Sequence, residues 1–140
     1  MRTPILLIFA ITGILLSGCA TMQSSKAPGA DLSSLKTFYV QKLPADGRGI
    51  EKLIVARLDM MGFTASSGEA EAPSAKVDAI VTYQDKWMWD ITMYMIKLDV
   101  QIRDGTTGLA LANGESMRPS LQRKSPEGMV EEVMGNIFKK

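Results

Sequence analysis

Two long runs of alternating residues, Lys76 to Met88 and Ile91 to Asp104, constrain this chain more than anything else in it. In the first, Val77, Ala79, Val81 and Tyr83 fall on one side and Asp78, Thr82 and Gln84 on the other, with Ile80 the exception. In the second, Tyr94, Ile96, Leu98, Val100 and Ile102 are set to face inward, and Lys97, Asp99, Gln101 and Arg103 outward. Strand side chains point to opposite faces in turn, so this period of two predicts two half-buried strands. Paired as one hairpin, arms of this length extend about 40 Å, against about 17 to 20 Å for a usual strand.

The flanking segments supply the layer that covers such a sheet. Leu35 to Leu43 has strong strand preference in Thr37, Phe38, Tyr39 and Val40 before Pro44 stops it. From Gly49 to Met61, Ile50, Leu53, Ile54, Leu58 and Met61 recur at steps of three and four, one stripe of a helix, and Gly62 stands where a left-handed C-cap belongs. Phe63 to Ala75 reads as loop, with a strand of two or three residues at its start. The turn Asp104-Gly105-Thr106-Thr107-Gly108 leads to Leu109 through Met117, a weaker strand interrupted at Asn113-Gly114.

Ser125-Pro126-Glu127 opens a second helix with an N-cap, a proline at the first helical position and an acid in the first turn. Met129, Val130, Val133, Met134, Ile137 and Phe138 form its apolar face. The expected fold is therefore α+β, in the order β-α-β-β-β-α. It is a two-layer sandwich, a mainly antiparallel sheet of three to four strands with two helices on one face.

The N-terminus carries a different message. Arg2 is followed by Ile5 to Leu16, apolar apart from Thr12 and Gly13, and then by Ser17-Gly18 and the single cysteine, Cys19. This is the three-part layout of a secretory signal peptide. At 12 residues the apolar run falls short of the ~20 that span a bilayer as a helix. An ordinary signal peptide with a cysteine near its end and a buried N-terminal helix are the alternatives. Leu16-Ser17-Gly18-Cys19 resembles the lipobox of bacterial lipoproteins. That resemblance implies a diacylglyceryl group on the Cys19 thiol, cleavage before it and acylation of the new amine. Two or three chains on one residue make a durable anchor where a single chain is marginal. Alanine at position 20 implies, by the same resemblance, sorting to the outer membrane.

The chain then divides into a signal peptide at 1–18, a lipidated N-terminus and flexible tether at 19–30, and a periplasmic α/β domain at 31–140. The tether reading rests on the small and polar residues from Ala20 to Ala30. The remaining layout resembles the small periplasmic α/β-sandwich lipoproteins, most of them in families of unknown function. The residues that carry this are Leu35-Lys36-Thr37-Phe38, Met60-Met61-Gly62-Phe63, Val77-Asp78-Ala79-Ile80-Val81 and the Asp104 to Gly108 turn. The resemblance brings no catalytic residues with it.

Composition narrows the function. Loss of Arg2 with the leader brings the 16 basic residues level with the 15 acidic ones. Such a balance argues against nucleic acid, which favours a basic patch. Histidine is absent, which removes the commonest general base and metal ligand together. Asp85, Asp90, Asp99 and Asp104 are the remaining chemical candidates, and a charged strand residue usually faces water. Gly105 and Gly108 are not followed by the Gly-Lys-Ser/Thr of a phosphate loop, and no cofactor is expected.

The most suggestive stretch is Trp87 to Met95, which holds both tryptophans and three methionines. The Gly49 to Met61 helix covers only about 20 Å of the hairpin, so the tip is expected to overhang the helices. On the outward register, Ile91, Met93 and Met95 make the outer face apolar near the turn. Trp87, Met88, Trp89, Ile91, Met93 and Met95 are the candidate contact residues, for an envelope protein, a lipid surface or an apolar ligand. The competing reading is that they are ordinary core. The expected function is a non-enzymatic outer-membrane lipoprotein, an accessory or binding module on the periplasmic face. The alternatives are a carrier of a lipid or other apolar ligand and, third, a hydrolase using carboxylates. Partner identity and oligomeric state are not encoded in any motif.

Overall fold

A computed structural model describes residues 19–140, and the leader expected at 1–18 lies outside the described residues. The elements are β1 (Thr21–Lys26), β2 (Thr37–Gln41), α1 (Ile50–Met60), β3 (Thr64–Gly68), β4 (Ala79–Asp90), β5 (Thr92–Asp104), β6 (Ala110–Met117) and α2 (Pro126–Ile137). Short 3-10 turns occupy Leu32–Ser34 and Ser120–Gln122.

The strands form one sheet in the order β1-β6-β5-β4-β2-β3. β4, β5, β6 and β1 pair antiparallel, whereas β2 is parallel to both β4 and β3. The α+β class stands, but the expected sheet of three to four mainly antiparallel strands is corrected to a mixed sheet of six. The parallel pairing follows from α1, which carries the chain back across the sheet between β2 and β3, as parallel neighbours require.

The two edge strands explain the shortfall. β1 lies in the segment expected to be a flexible tether, and five of its six residues are exposed. β3 reads Thr-Ala-Ser-Ser-Gly. Neither alternates apolar with polar, because each joins the sheet through its backbone ladder and adds little to the core. β1 runs in register along β6 from Thr21 opposite Met117 to Lys26 opposite Ala112.

Both helices lie on one face, with Ile50, Ile54 and Leu58 of α1 and Met129, Val130, Val133, Met134 and Ile137 of α2 buried. They meet Phe38, Val40, Val81, Leu98, Val100 and Ile102 of the sheet in one apolar cluster. The predicted ends are as built. Gly62 is left-handed (φ 91°), and the Phe63 amide donates to the Leu58 carbonyl at 3.1 Å. Ser125 accepts from the Gly128 amide at 3.1 Å, with Pro126 in the first turn. Phe38, Phe63 and Phe138 stack around one corner, with centroids 4.9 to 6.0 Å apart.

β6 is continuous through Asn113-Gly114, where the sequence suggested an interruption. The glycine is there for α2. A β-carbon on Gly114 would stand 2.6 Å from Ile137 Cγ1 and 3.0 Å from Val133 Cγ1, so the helix seats directly on bare backbone.

Candidate functional site

β4 and β5 form the predicted hairpin, paired from Ala79 opposite Asp104 to Asp90 opposite Thr92. β2 pairs with β4 only as far as Val81, and β6 pairs with β5 only as far as Lys97. Beyond those points the hairpin continues as a two-stranded ribbon, the overhang expected from its length.

The ribbon changes register at its base. Lys86 is opposite Lys97, but Trp87 is opposite Met95, so Ile96 is an extra residue on β5. Such a bulge exchanges the faces of β5 beyond it, while β4 keeps its alternation. Met95, expected on the outer face, is therefore buried at 1 % exposure with the core, and Trp87 packs half-buried against the same cluster. Tyr94, expected inward, lies opposite Met88 on the other face, under the Arg123 guanidinium at 4.1 Å from the ring centroid. Two of the six candidates thus belong to the body of the domain and four project from it.

Those four are Met88 (43 % exposed), Trp89 (72 %), Ile91 (87 %) and Met93 (49 %). Trp89 and Met93 are cross-strand partners on the helix side of the sheet. Ile91 forms the apex with φ 62°. A left-handed conformation costs a residue with a β-carbon roughly 1 to 2 kcal/mol, and a β-branched one seldom takes it.

The ribbon is braced on both faces, on one at its base and on the other beside its apex. Trp87 Nε1 donates to Asp85 Oδ2 at 2.6 Å, and the Arg48 guanidinium lies 4.0 Å from the Trp87 ring centroid. On the other side Arg123 donates to Thr92 Oγ1 at 2.7 Å and to the Asp90 carbonyl at 2.8 Å, and the Ser120 hydroxyl donates to the Asp90 carboxylate. These bonds fix the ribbon while leaving its last apolar side chains in solvent.

Cys19 is exposed at the same end of the sheet. Thr21, Met117, Lys97 and Lys86 form one row across β1, β6, β5 and β4. Cys19 lies just outside that row, on the side from which the ribbon projects. The Ala20 amide donates to the Gln122 side-chain oxygen at 3.3 Å. Beside Gln122, Leu121 is 93 % exposed. A lone leucine among polar residues carries no periodic signal in the sequence, so nothing there marks it as exposed or as part of this end of the sheet.

The carboxylates go to separate duties. Asp85 holds Trp87, Asp90 meets Arg123, and Asp104 accepts from the amides of Thr106 and Thr107 in the turn after β5. Asp99 is paired across the strands with Glu115, and Lys97 reaches both, at 3.2 and 3.0 Å. Partial burial and the neighbouring Glu115 raise the Asp99 carboxyl, against the pull of Lys97. This triad sits on the open, polar face of the sheet rather than against the other acids. Among the described residues, no group of acids and cysteine is placed to hold a metal ion. Nor is any helix there long and apolar enough to cross a membrane.

No family model and no curated protein matches the sequence. Solved structures share the fold. The PelC dodecamer from Paraburkholderia phytofirmans is similar at TM-score 0.62 and 12 % identity, over 84 % of this chain and 96 % of that one. A PDZ domain protein from Parabacteroides distasonis is similar at TM-score 0.56 and 13 % identity, over 85 % of this chain and 36 % of that one. TolB from Acinetobacter baumannii is similar at TM-score 0.51 and 19 % identity, over 83 % of this chain and 30 % of that one. At these identities the likeness is one of fold: the same α/β unit stands nearly alone in the PelC chain and forms about a third of the other two.

Proposed function

We propose that this chain is a non-enzymatic lipoprotein, held by acyl chains on Cys19 at the periplasmic face of the outer membrane, whose α/β body serves as an accessory or binding module of the envelope. The observation that carries the reading is the braced ribbon with a bare apolar tip, on a body whose remaining apolar residues are mostly packed. Molecules that act by association present such surfaces, whereas enzymes gather polar groups in a cleft. The fold likeness to PelC, described as a dodecamer, is in keeping with a body that works by assembling with others. The lipobox at Leu16 to Cys19 supports the anchor.

The carrier alternative needs an enclosed apolar space between sheet and helices. Leu98, Ile102, Val133, Met134 and Ile137 fill that layer with no exposure at all, so the packing favours the binding module. The anchor is tested by fractionating cells that express Cys19→Ser. The native protein is expected in the membrane pellet, and the variant in the soluble periplasm or retained with its leader uncut. A variant that sediments with outer membranes like the native protein, its leader removed, contradicts the proposal.

A further inference from the structure

We propose that the tip of the β4–β5 ribbon is a second membrane contact, with Trp89, Ile91 and Met93 entering the interfacial layer of the bilayer that holds the acyl chains. The inference rests on the anchor reading of Cys19 and names what the ribbon touches.

The geometry is set by the row Thr21, Met117, Lys97 and Lys86. Cys19 lies two residues outward from that row and Ile91 five, along neighbouring strands of one sheet. At about 3.3 Å per residue the apex reaches ~10 Å past Cys19. Acyl chains that hold Cys19 at the headgroups therefore bring the apex to the depth at which interfacial apolar side chains sit, about 5 to 10 Å into the headgroup boundary. The bond from Ala20 to Gln122 keeps the anchor point against the sheet end, and Leu121 is exposed beside it.

The chemistry of the tip matches that depth. Tryptophan has an apolar body and one N–H donor, and is enriched where hydrocarbon meets headgroups. The acid nearest the apex, Asp90, is met by Arg123 at 3.3 Å, so the tip carries little bare negative charge toward lipid phosphates. A protein partner is the less favoured occupant. A stable protein interface covers about 800 Å² on each side, and a two-stranded ribbon ending in three apolar side chains offers much less. Beside acyl chains that already give the affinity, so small a patch suffices to fix orientation. It would stand the strands of the sheet steeply to the membrane, with the polar sheet face of Asp99, Gln101 and Glu115 turned sideways, parallel to the bilayer surface.

The test uses the full chain purified from its membranes, with its mass measured, in vesicles of phosphatidylethanolamine and phosphatidylglycerol carrying lipid brominated along the acyl chain. Tryptophan emission is read for the native protein and for Trp87→Phe, in which Trp89 is the sole reporter; should that variant fold poorly, the native protein against Ile91→Asp gives the same comparison. A shift to shorter wavelength and loss of emission to bromine are expected. Ile91→Asp is expected to sediment with the vesicles as before but to lose both the shift and the quenching. Acylated, vesicle-bound protein whose Trp89 emission is the same as in water overturns the ribbon contact while leaving the anchor intact. So does a photo-crosslinker at Met93 that captures a polypeptide rather than lipid in intact envelopes. A membrane-derived chain with no acyl group on Cys19 overturns the anchor, and the ribbon proposal with it.

Discussion

Asp46 holds together more of this fold than its place in a loop suggests. Its carboxylate accepts from the amides of Arg48 (2.7 Å), Gly49 (3.0 Å) and Ile50 (2.8 Å) and from the Tyr83 hydroxyl (2.7 Å). Gly49 begins α1 without a side chain to cap it, so Asp46 supplies the cap from three residues upstream and ties it to β4. Burial acts to raise the Asp46 carboxyl, but the bonds from Tyr83 and the amides outweigh it and hold the group down to about 2. Burial, with the charge of Asp46 beside it, drives the Tyr83 hydroxyl well above the ordinary phenol range. Asp46→Ala removes a cap and leaves the Tyr83 hydroxyl without its acceptor, and is expected to cost about 2 to 4 kcal/mol by urea denaturation at neutral pH. The folded carboxyl lies below its unfolded value of 3.8, so the contribution is fully present above 3.8 and is lost as pH falls toward 2. The gap in stability between native and variant is therefore expected to narrow between those two pH values. A gap that stays constant across them contradicts the assignment.

At the level of elements, the sequence was most legible where a side-chain pattern coincided with a buried face. α1, α2 and the body of the β4–β5 hairpin all announce themselves through apolar residues at the right period, and Gly62 and Ser125 through their cap chemistry. β1 and β3 were hidden because an edge strand made of Ser, Thr, Gln and Gly is specified by the ladder beside it. The ribbon is legible as an overhang, but the faces of its β5 arm are not, since one extra residue at Ile96 exchanges them on that strand and leaves no mark in composition. Gly114 was misread for a comparable reason: a glycine that breaks a strand and one that admits a helix look alike in one dimension. Gly114→Ala distinguishes the two. If α2 seats on that backbone, the added methyl forces Ile137 and Val133 aside and is expected to cost about 1 to 3 kcal/mol in thermal or urea unfolding. An unchanged or raised stability would mean that β6 tolerates a side chain there and that the helix packs less closely.

On the scale of the whole molecule, one end of the sheet gathers Cys19, exposed Leu121 and the ribbon tip, the features on which the proposed membrane contact rests. Cys19 and the ribbon tip lie far apart in the sequence, and only the β1–β6 pairing brings them to one end. That pairing rests on backbone bonds, which is why the arrangement could not be read from residue types. Intact-protein mass spectrometry of the chain extracted from membranes decides whether Cys19 is the anchor. The expected product begins at Cys19 and carries the added mass of a diacylglyceryl group and an amide-linked acyl chain. A product that still begins at Met1, or one that begins at Cys19 without added acyl mass, would contradict the anchor.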